Sequence, residues 1–469
     1  MEFDVAVVGA GPAGLFAAYE LVMRSGDKLR IAVIDRGARA SERVCPMHAS
    51  SLREPEKPAP CAKCAPCRVM HGVGGAGLIS SGAFNLRPDV GGDIDKLIGS
   101  FVAAERLISY VDSILVKLGA PEDSLVLPSE EVSELERLVA KTGAKFVPTP
   151  QRVLGSEGTL KVTENMHSFL EKAGVKFFLN TFVARVRSSG RAFLLETNSG
   201  TIAARFVLLA PGRSGAAWFS AIARELGIEV EPGPLDVGIR VEIPSYVAER
   251  VTNVVRDPKI IMYTRAYDDK VRTFCTNPNG FVVQEVYNNE MVAVNGVSYR
   301  GLKSANTNMA LLVTVKLTDP LEDTIAYGKS IAMLATKLGG GKPIVQRLGD
   351  LLSGRRSTWS RISRSNVEPT LKNVTPGDVT MALPHRIVSN LLESIERLDD
   401  VMPGLYSGST LIYAPEMKFY SVRAVVSKKL ETTVENVFVA GDGAGLSRGL
   451  NGAAATGVLA ARGILEKLT

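Results

Sequence analysis

The stretch Phe3-Asp-Val-Ala-Val-Val-Gly9-Ala-Gly11-Pro-Ala-Gly14 decides the fold of this 469-residue chain. Residues 3–9 are almost continuously apolar, which is typical of a buried parallel strand. A glycine-rich turn follows, and the apolar spacing of residues 15–23 predicts a helix. Residues 30–35 predict a second strand. The sequence therefore begins with one β-α-β unit.

The glycine-rich turn has the G-x-G-x-x-G spacing at Gly9, Gly11 and Gly14. In such a turn the glycines permit a tight bend, a close approach of backbone to a pyrophosphate, and close helix–strand packing. Free N–H groups at the start of the helix, around Pro12 and Ala13, are expected to bind the anionic phosphates. A carboxylate at the end of the second strand can accept ribose hydroxyls, and Asp35, followed by Arg36, stands there. We interpret this unit as a dinucleotide site.

A second signal lies near the other end of the sequence, in Val437-Phe-Val-Ala-Gly441-Asp442-Gly-Ala-Gly. A strand that ends in Gly441-Asp442 brings a carboxylate to a ribityl hydroxyl. The small residues after it let the next helix begin close to an isoalloxazine ring, whose reduced form a helix N-terminus stabilises. Asn451, Gly452 and Ala453 follow this motif and precede the predicted helix. Together, the two motifs predict a cradle for FAD.

Residues 40–92 are rich in Pro, Gly, Ser and Cys and predict a long ordered loop. This loop contains Gly72-Val-Gly74-Gly75-Ala76-Gly77, which repeats the G-x-G-x-x-G letters. No predicted strand precedes these residues, so a second nucleotide fingerprint is rejected. We expect Gly74, Gly75, Ala76 and Gly77 to let backbone pass close to the flavin.

Residues 182–187, 192–197 and 200–209 predict a three-stranded meander that ends in Ala210-Pro-Gly212. With the two terminal motifs, this order of segments resembles the glutathione-reductase-type flavoproteins. The resemblance implies an α/β fold: a Rossmann-like FAD-binding domain of that type with an inserted α+β substrate domain. It places the FAD domain at residues 1–215 and 406–469 and the substrate domain at 216–405. It also implies that Val183 contacts adenine through its backbone.

More narrowly, the chain resembles a family known as uncharacterised FAD-dependent dehydrogenases. The resemblance rests on residues 72–77 with Asn85, on Arg272-Thr-Phe-Cys275-Thr-Asn-Pro-Asn-Gly280, and on residues 441–445. Two of these segments depart from the usual family pattern. Family members usually have Cys-Pro-Gly-Gly in the segment that begins at Arg272, and they commonly have Glu at the position of Asp442. The chain is similar, more distantly, to geranylgeranyl reductases, but it has no clear copy of their lipid-pocket signature.

Four of the five cysteines form a cluster in the loop, at Cys45, Cys61, Cys64 and Cys67. The C-x2-C-x2-C spacing can place three thiolates around one [4Fe-4S] cluster, with Cys45 as a fourth ligand. The same thiolates could bind zinc, or they could serve thiol chemistry or no function. The proximity of Cys67 to the glycine-rich loop favours iron–sulfur, because a cluster there would exchange electrons with the flavin.

Two further residues are candidates for the chemistry itself. Lys418 precedes the Gly-Asp strand, where a cation near the flavin would stabilise its reduced form; a solvated surface lysine is the alternative. Cys275 could face the flavin from the substrate domain, although an isolated cysteine is more often a buried apolar residue of the core.

Composition narrows the remaining functions. The net charge of +6 comes without a Lys/Arg-rich run, so nucleic-acid binding is not expected. No segment has the roughly 20 apolar residues that span a bilayer. The apolar strand at the start leaves no room for a leader, so we expect a cytoplasmic protein.

Three functions remain open. The first is an FAD-dependent dehydrogenase or reductase that passes electrons between flavin, an iron–sulfur cluster and an unknown small-molecule substrate or ferredoxin-like partner. The second is a flavin ene-reductase of the geranylgeranyl-reductase type, with zinc or no metal. The third is a non-catalytic FAD electron carrier.

Overall fold

A computed structural model describes residues 1–53, 62–80, 82–127, 131–233, 235–287, 290–299, 302–315, 324–419 and 422–468. Cys61, one of the four clustered cysteines, lies outside the described residues. Within them, no helix is long and apolar enough to cross a membrane.

The strands alternate with helices along most of the chain. In chain order the strands are β1 (Glu2–Val8), β2 (Ile31–Ile34), β3 (Ala83–Asn85), β4 (Leu125–Val126), β5 (Ala144–Phe146), β6 (Gln151–Val153), β7 (Lys176–Phe178), β8 (Val183–Ser189), β9 (Ala192–Thr197), β10 (Gly200–Leu209), β11 (Val230–Pro232), β12 (Leu235–Pro244), β13 (Ile260–Tyr263), β14 (Lys270–Asn277), β15 (Phe281–Tyr287), β16 (Met291–Val297), β17 (Asn306–Val315), β18 (Ile344–Arg347), β19 (Thr375–Pro376), β20 (Leu411–Phe419), β21 (Val422–Ala424) and β22 (Val437–Val439). The helices are α1 (Pro12–Ser25), α2 (Pro46–Arg53), α3 (Ile94–Ile98), α4 (Phe101–Lys117), α5 (Val132–Lys141), α6 (Gly155–Lys172), α7 (Ala216–Leu226), α8 (Ser245–Thr252), α9 (Thr324–Leu338), α10 (Leu348–Leu352), α11 (Trp359–Ile362), α12 (His385–Asp399) and α13 (Leu450–Leu468).

The first sheet has a parallel core in the order β7-β2-β1-β10, with β22 parallel to the second half of β10. The first half of β10 pairs antiparallel with β9, and β9 with β8, which confirms the predicted meander. Val5 to Val8 of β1 are buried because the sheet is covered on both faces. The carboxyl ends of β1, β2, β10 and β22 therefore meet at one edge, where such folds bind ligands.

Small residues bring α1 and α13 together beneath this edge. A Cβ at Gly457 would overlap the carbonyl oxygen of Ala13, so the two helices approach to backbone contact. The start and the last described helix of the chain are therefore joined in one layer of the fold.

The second sheet has the order β19-β18-β20-β12-β17-β14-β13-β5. It extends beyond the predicted insertion at 216–405, because it includes β5 and β20. Both strands are set by pairing with distant partners, Lys145 with Ile261 and Lys418 with Asp236, which local periodicity does not encode.

Strand β12, in the middle of this sheet, has two chemically different faces. The odd-numbered residues Val237, Ile239, Val241 and Ile243 pack into an apolar core. The even-numbered residues Asp236, Arg240 and Glu242 are fully buried on the other face. The second sheet thus carries a layer of buried charge on one face.

One local prediction needs correction. The loop at 40–92 contains helix α2, whose sequence Pro-Met-His-Ala-Ser-Ser-Leu-Arg lacks the apolar periodicity that would have revealed it.

A buried carboxylate connects three helices around the first sheet. Glu20 in α1 is fully buried and accepts hydrogen bonds from Arg24 (2.6 Å), Tyr110 in α4 (2.6 Å) and Arg462 in α13 (2.7 Å). Burial by itself would raise the pKa of Glu20, but these donors outweigh it and hold the pKa below its ordinary value.

We expect Glu20→Ala to lower the free energy of unfolding by about 1–3 kcal/mol, because it removes the acceptor that the partly buried Tyr110 and Arg462 and the exposed Arg24 share. The pKa of Glu20 is lower in the folded state, so the loss should be complete at neutral pH and shrink below about pH 4. Urea unfolding at several pH values measures it. Glu171→Ala, which removes an exposed partner of Arg39, should cost less than about 1 kcal/mol; equal losses in the two variants would contradict the prediction.

Candidate active site

A cleft lies between the carboxyl edge of the first sheet and the polar face of the second. It encloses about 1550 Å³, including the part that is open to solvent. Its lining comes from both sheets, and among the predicted site residues it includes Gly9, Gly11, Pro12, Ala13, Asp35, Gly75, Ala76, Gly77, Ala210, Gly212, Cys275, Lys418, Gly441, Asp442 and Ala453.

The start of α1 forms the floor of the cleft. Gly11 is its N-cap residue and supplies no side-chain cap, so the N–H groups of the first turn face the cleft. Gly9 has a φ of 112°, and a Cβ there would overlap the carbonyl oxygen of Ala210 at the end of β10. This floor is a backbone anion site of the kind that holds a pyrophosphate.

Asp35 ties three backbone segments together at the cleft. Its Oδ2 accepts a hydrogen bond from Ala10 N (2.8 Å), and its Oδ1 accepts from Gly37 N and Gly72 N (both 2.8 Å). The Gly72 contact draws the glycine-rich loop to the end of β2. An ionised carboxylate has about four acceptor positions, so capacity remains for a ribose hydroxyl.

The glycine-rich loop packs directly on the α1 turn. Gly74 N donates to Ala10 O (2.8 Å), and a Cβ at Gly75 would lie 3.0 Å from the Cα of Gly11. Gly75, Ala76 and Gly77 line the cleft, whereas Gly74 faces the interior beside Leu78 and Thr163.

The C-terminal segment closes the opposite side. Asp442 lines the cleft and accepts a hydrogen bond from Ser447 Oγ (2.6 Å), and burial raises the pKa of its carboxyl. Asn451 and Gly452 lie behind the cleft wall. Asn451 Nδ2 donates to Asn85 O (2.7 Å), and Gly452 packs on the carbonyl of Gly91.

Gly14, Val183 and Arg36 also lie outside the cleft lining, and Gly14 packs against the carbonyl of Gly9. Val183 is buried at the start of β8, where its carbonyl accepts a hydrogen bond from Trp218 Nε1 (2.7 Å). Arg36 is exposed and stacks on the Phe182 ring, 5.2 Å from its centroid.

These features together fit FAD. An uncapped helix start, a carboxylate at the end of the second strand and a second carboxylate at Asp442 border one continuous cleft. A pyrophosphate, two sets of hydroxyls and a ring system would find suitable partners here.

The cysteine-rich segment is anchored beside this cleft by Arg43. Its guanidinium, which is nearly fully buried, donates to the carbonyls of Arg68, Val69, Val73 and Gly75 at 2.7–3.1 Å. Cys45, Cys64 and Cys67 are partly exposed. Within the described residues, no three His, Cys, Asp or Glu side chains form a group that could hold a metal ion.

The far wall of the cleft comes from the second sheet and is strongly polar. Lys418 in β20 is 3% exposed, and its Nζ lies 2.7 Å from Glu416 Oε1. Glu416 is fully buried and accepts a two-pronged contact from Arg240, with Nε–Oε2 at 2.9 Å and Nη2–Oε1 at 3.1 Å. Arg240, Glu416 and Lys418 thus form a buried chain of charges, and Lys418 is the member that lines the cleft.

Glu285 in β15 is a second charged group on this wall. It accepts hydrogen bonds from Tyr287 OH (2.7 Å) and Asn295 Nδ2 (2.5 Å). Burial by itself would raise the pKa of Glu285. The positive charges of Lys418 and Arg213 oppose this effect, and the pKa is below its ordinary value, so the carboxylate is ionised at neutral pH. The pair Asp257 and Lys259, which are bonded to each other, also lines the wall.

Cys275 lies between these charges on an irregular part of β14. The pairing of β14 with β17 shifts between Phe274 and Asn277, and Cys275 has a φ of 48°. Its carbonyl accepts hydrogen bonds from Asn277 Nδ2 (2.7 Å) and Arg240 Nη1 (3.1 Å). A strained backbone that is held by buried donors is frequent at functional sites.

His71 completes the lining near the glycine-rich loop, with Nδ1 3.4 Å from Ser214 Oγ. Burial, assisted by the positive charges of Arg36 and Arg43, lowers the pKa of His71 to about 4. Its imidazole is therefore neutral at physiological pH.

Sequence reasoning missed Arg240, Glu285 and Asn295. The available signal was the strict alternation of Leu235-Asp-Val-Gly-Ile-Arg-Val-Glu-Ile. Such a pattern is usual for a strand with one solvated face, so it did not reveal that the charged face is buried.

Two family models match this chain. Residues 4–285 match the family described as FAD dependent oxidoreductase, and residues 234–419 match one described as FAD-dependent protein, C-terminal domain-like. An uncharacterised protein of Clostridium beijerinckii is 27% identical over 486 aligned residues, which cover 98% of this chain and 80% of the relative. The coarser fold prediction, α/β with a Rossmann-like FAD-binding domain, is confirmed, whereas the glutathione-reductase-type subclass stays a prediction.

Solved structures with a similar fold include two oxidoreductases. Glycine oxidase from Geobacillus kaustophilus is 13% identical, with 99% of this chain and 95% of that chain covered at a TM-score of 0.41. L-proline dehydrogenase from P. horikoshii is 12% identical, with 99% and 94% covered at a TM-score of 0.39. At these values the likeness carries no argument about the substrate.

We expect Asp35→Ala to weaken FAD binding at least ten-fold, because three charge-assisted backbone hydrogen bonds that shape the cleft are lost. Each is worth about 1.5–3 kcal/mol, and about 1.4 kcal/mol is ten-fold in affinity. Fluorescence titration of the apoprotein with FAD measures the change. Asp4→Ala is the control, since Asp4 accepts from Arg30 N (2.7 Å) far from the cleft; unchanged binding in Asp35→Ala would refute the assignment.

Proposed function

Because the chain belongs to the FAD dependent oxidoreductase family, we propose that it is a dehydrogenase or reductase of a small polar substrate. The observation that supports this function is the composition of one cleft. Cofactor segments of the first sheet line one side, and Lys418, Glu285 and Asn295 of the second sheet region line the other. A molecule between them would meet both a flavin and hydrogen-bonding groups.

FAD, when bound, supplies the redox chemistry by accepting or donating an electron pair. The protein supplies charge and position. Lys418 would stabilise negative charge on the reduced cofactor or on an anionic substrate group, and the ionised Glu285 would accept a hydrogen bond from a hydroxyl or amine. Cys275 would form part of the wall that shapes the substrate.

The ene-reductase alternative receives less support from the cleft. An isoprenoid chain needs an apolar channel beside the flavin, whereas this wall carries buried charges. A small apolar pocket does exist near the second sheet, but Ile239, Leu351 and Ile395 line it on the opposite face of β12, and it is far too small for an isoprenoid chain. A non-catalytic electron carrier needs no substrate site, so the polar wall of the cleft favours an enzyme over a carrier.

An iron–sulfur cluster remains a proposal for the cysteine-rich segment, and with it a ferredoxin-like partner. The position of the segment supports this proposal. Arg43 donates hydrogen bonds to the carbonyl of Arg68, next to Cys67, and to the carbonyl of Gly75, which lines the cleft. A cluster at Cys45, Cys61, Cys64 and Cys67 would serve as a one-electron port. Zinc is the alternative occupant of the same thiolates.

The substrate class is tested by anaerobic reduction of the bound FAD. A panel of small hydroxy acids and amines should include a compound that bleaches the oxidised flavin, and Lys418→Met should slow that reduction about ten-fold or more by removing the charge stabilisation. FAD content should not change. Lys372→Met, at a lysine paired with Glu368 on the surface, is the control.

The result that would overturn this function is the reverse preference. If no polar compound reduces the flavin, while isoprenoid alkenes reoxidise the dithionite-reduced protein, the ene-reductase is the correct function.

Metal analysis of anaerobically purified protein tests the port. We expect iron and sulfide at about four per FAD, with loss of both in Cys64→Ser and retention in Cys275→Ser. Zinc alone, or no metal, would leave the flavin function intact and exclude the one-electron port.

A further inference from the structure

Three charged side chains form a continuous buried chain between β12 and the cleft. Arg240 and Glu416 are 0% exposed, and Lys418 is 3% exposed. Arg240 and Glu416 lie on adjacent strands at an irregularity of the pairing, where Glu416 is opposite Gly238 and Arg240 is opposite Tyr413, and Glu416 and Lys418 are on the same face of β20. The chain Arg240–Glu416–Lys418 carries two positive charges and one negative, hence a net charge of +1.

The carboxylate of Glu416 is engaged mainly by Arg240. The guanidinium bonds both oxygens, as a fork that matches a carboxylate. Lys418 Nζ is close to Oε1 at 2.7 Å, but the contact lacks hydrogen-bond geometry, and among the described residues Nζ has no acceptor. Its N–H donors are therefore available to the cleft that Lys418 lines.

The effect of Arg240 on Lys418 is electrostatic. Without Arg240, Glu416 and Lys418 would be a buried pair with no net charge, and their fields in the cleft would largely cancel. With Arg240 present, Glu416 is neutralised from behind. Burial lowers the pKa of Arg240, but the interactions with Glu416, together with Cys275 and Glu285, raise it above its ordinary value, so the guanidinium keeps its charge.

The same guanidinium also holds the other cleft-facing groups. Nη1 donates to Asn308 Oδ1 (2.8 Å) and to the carbonyl of Cys275 (3.1 Å). Nη2 donates to Asn295 Oδ1 (3.3 Å), which leaves the amide of Asn295 directed at Glu285. A Cβ at Gly296 would overlap Nη1, so the backbone is shaped around this residue.

We propose that Arg240 is a positioning residue that neutralises Glu416, so that the positive charge of Lys418 is not cancelled by Glu416 and acts on the bound flavin and on an anionic group of the substrate. It also orients Asn295 toward Glu285, so the site takes a ligand with an anionic oxygen and a hydrogen-bond donor. This inference rests on the proposed function, because it concerns the same cleft.

The midpoint potential of the bound FAD tests the charge assignment without any substrate. A nearby positive charge favours the reduced, more negative cofactor. Arg240→Met should therefore lower the potential, by at least the equivalent of a ten-fold loss of preference for reduced FAD, about 30 mV for two electrons. Arg240→Lys, which keeps the charge, should change the potential much less.

Two further variants separate charge from structural damage. Glu416→Gln leaves two positive charges and should raise the potential, and Arg240→Met/Glu416→Gln leaves Lys418 alone and should return it close to the original value. A purely structural role predicts shifts in the same direction for both single variants. If Arg240→Met does not fold, Glu416→Gln and the double variant still decide the question.

Arg397→Met is the matched control, since Arg397 is a buried arginine that bonds Thr142 O and Tyr263 O far from the cleft. It should lower the melting temperature without changing the potential. Unchanged potentials in the Arg240 and Glu416 variants with FAD bound would overturn this inference alone. Absence of bound FAD, or of reduction by any polar compound, would instead overturn the proposed function.

Discussion

The shape of the cleft depends on the hydrogen bonds that the carboxylate of Asp35 accepts. Three backbone N–H groups from three separate segments converge on it, one from the turn after β1, one after β2 and one from the glycine-rich loop. Because the loop has little secondary structure of its own, this convergence fixes its distance from the start of α1. The anion site, the loop and the cysteine-rich segment behind it are thereby held in one arrangement.

The second constraint is the cost of buried charge in the second sheet. Arg240, Glu416 and Lys418 are almost entirely removed from water, and an unpaired charge in such a place is strongly unfavourable. The sheet offsets this cost through bidentate pairing and through amide groups of Asn295 and Asn308. Buried ion pairs of this kind contribute little net stability, because the loss of hydration largely offsets the attraction between the charges.

Local sequence patterns predicted the first sheet well. Strand β1, helix α1 and the meander β8 to β10 were identifiable because short apolar runs are bounded there by glycines and turns. The Gly441-Asp442 motif was found for the same reason, since it is contiguous. The membership of β20 and β5 in the second sheet was not predictable, because strand pairing joins residues that are far apart in sequence. Arg240 and Glu285 escaped notice because a charged residue on an alternating strand looks solvated until its neighbours are known.

The contact between α1 and α13 has a consequence for biosynthesis. Gly457 packs on Ala13, and β22 pairs with a strand whose other neighbour is β1. During translation, the first strand and helix leave the ribosome long before the partners that complete their packing. The apolar surface of α1 that packs on α13 stays exposed, or is bound by a chaperone, until residues 437–457 leave the ribosome. The FAD site is therefore completed only after residues 437–457 have been synthesised. A polypeptide that ends before this segment would expose the apolar surface of α1 and would be prone to aggregate.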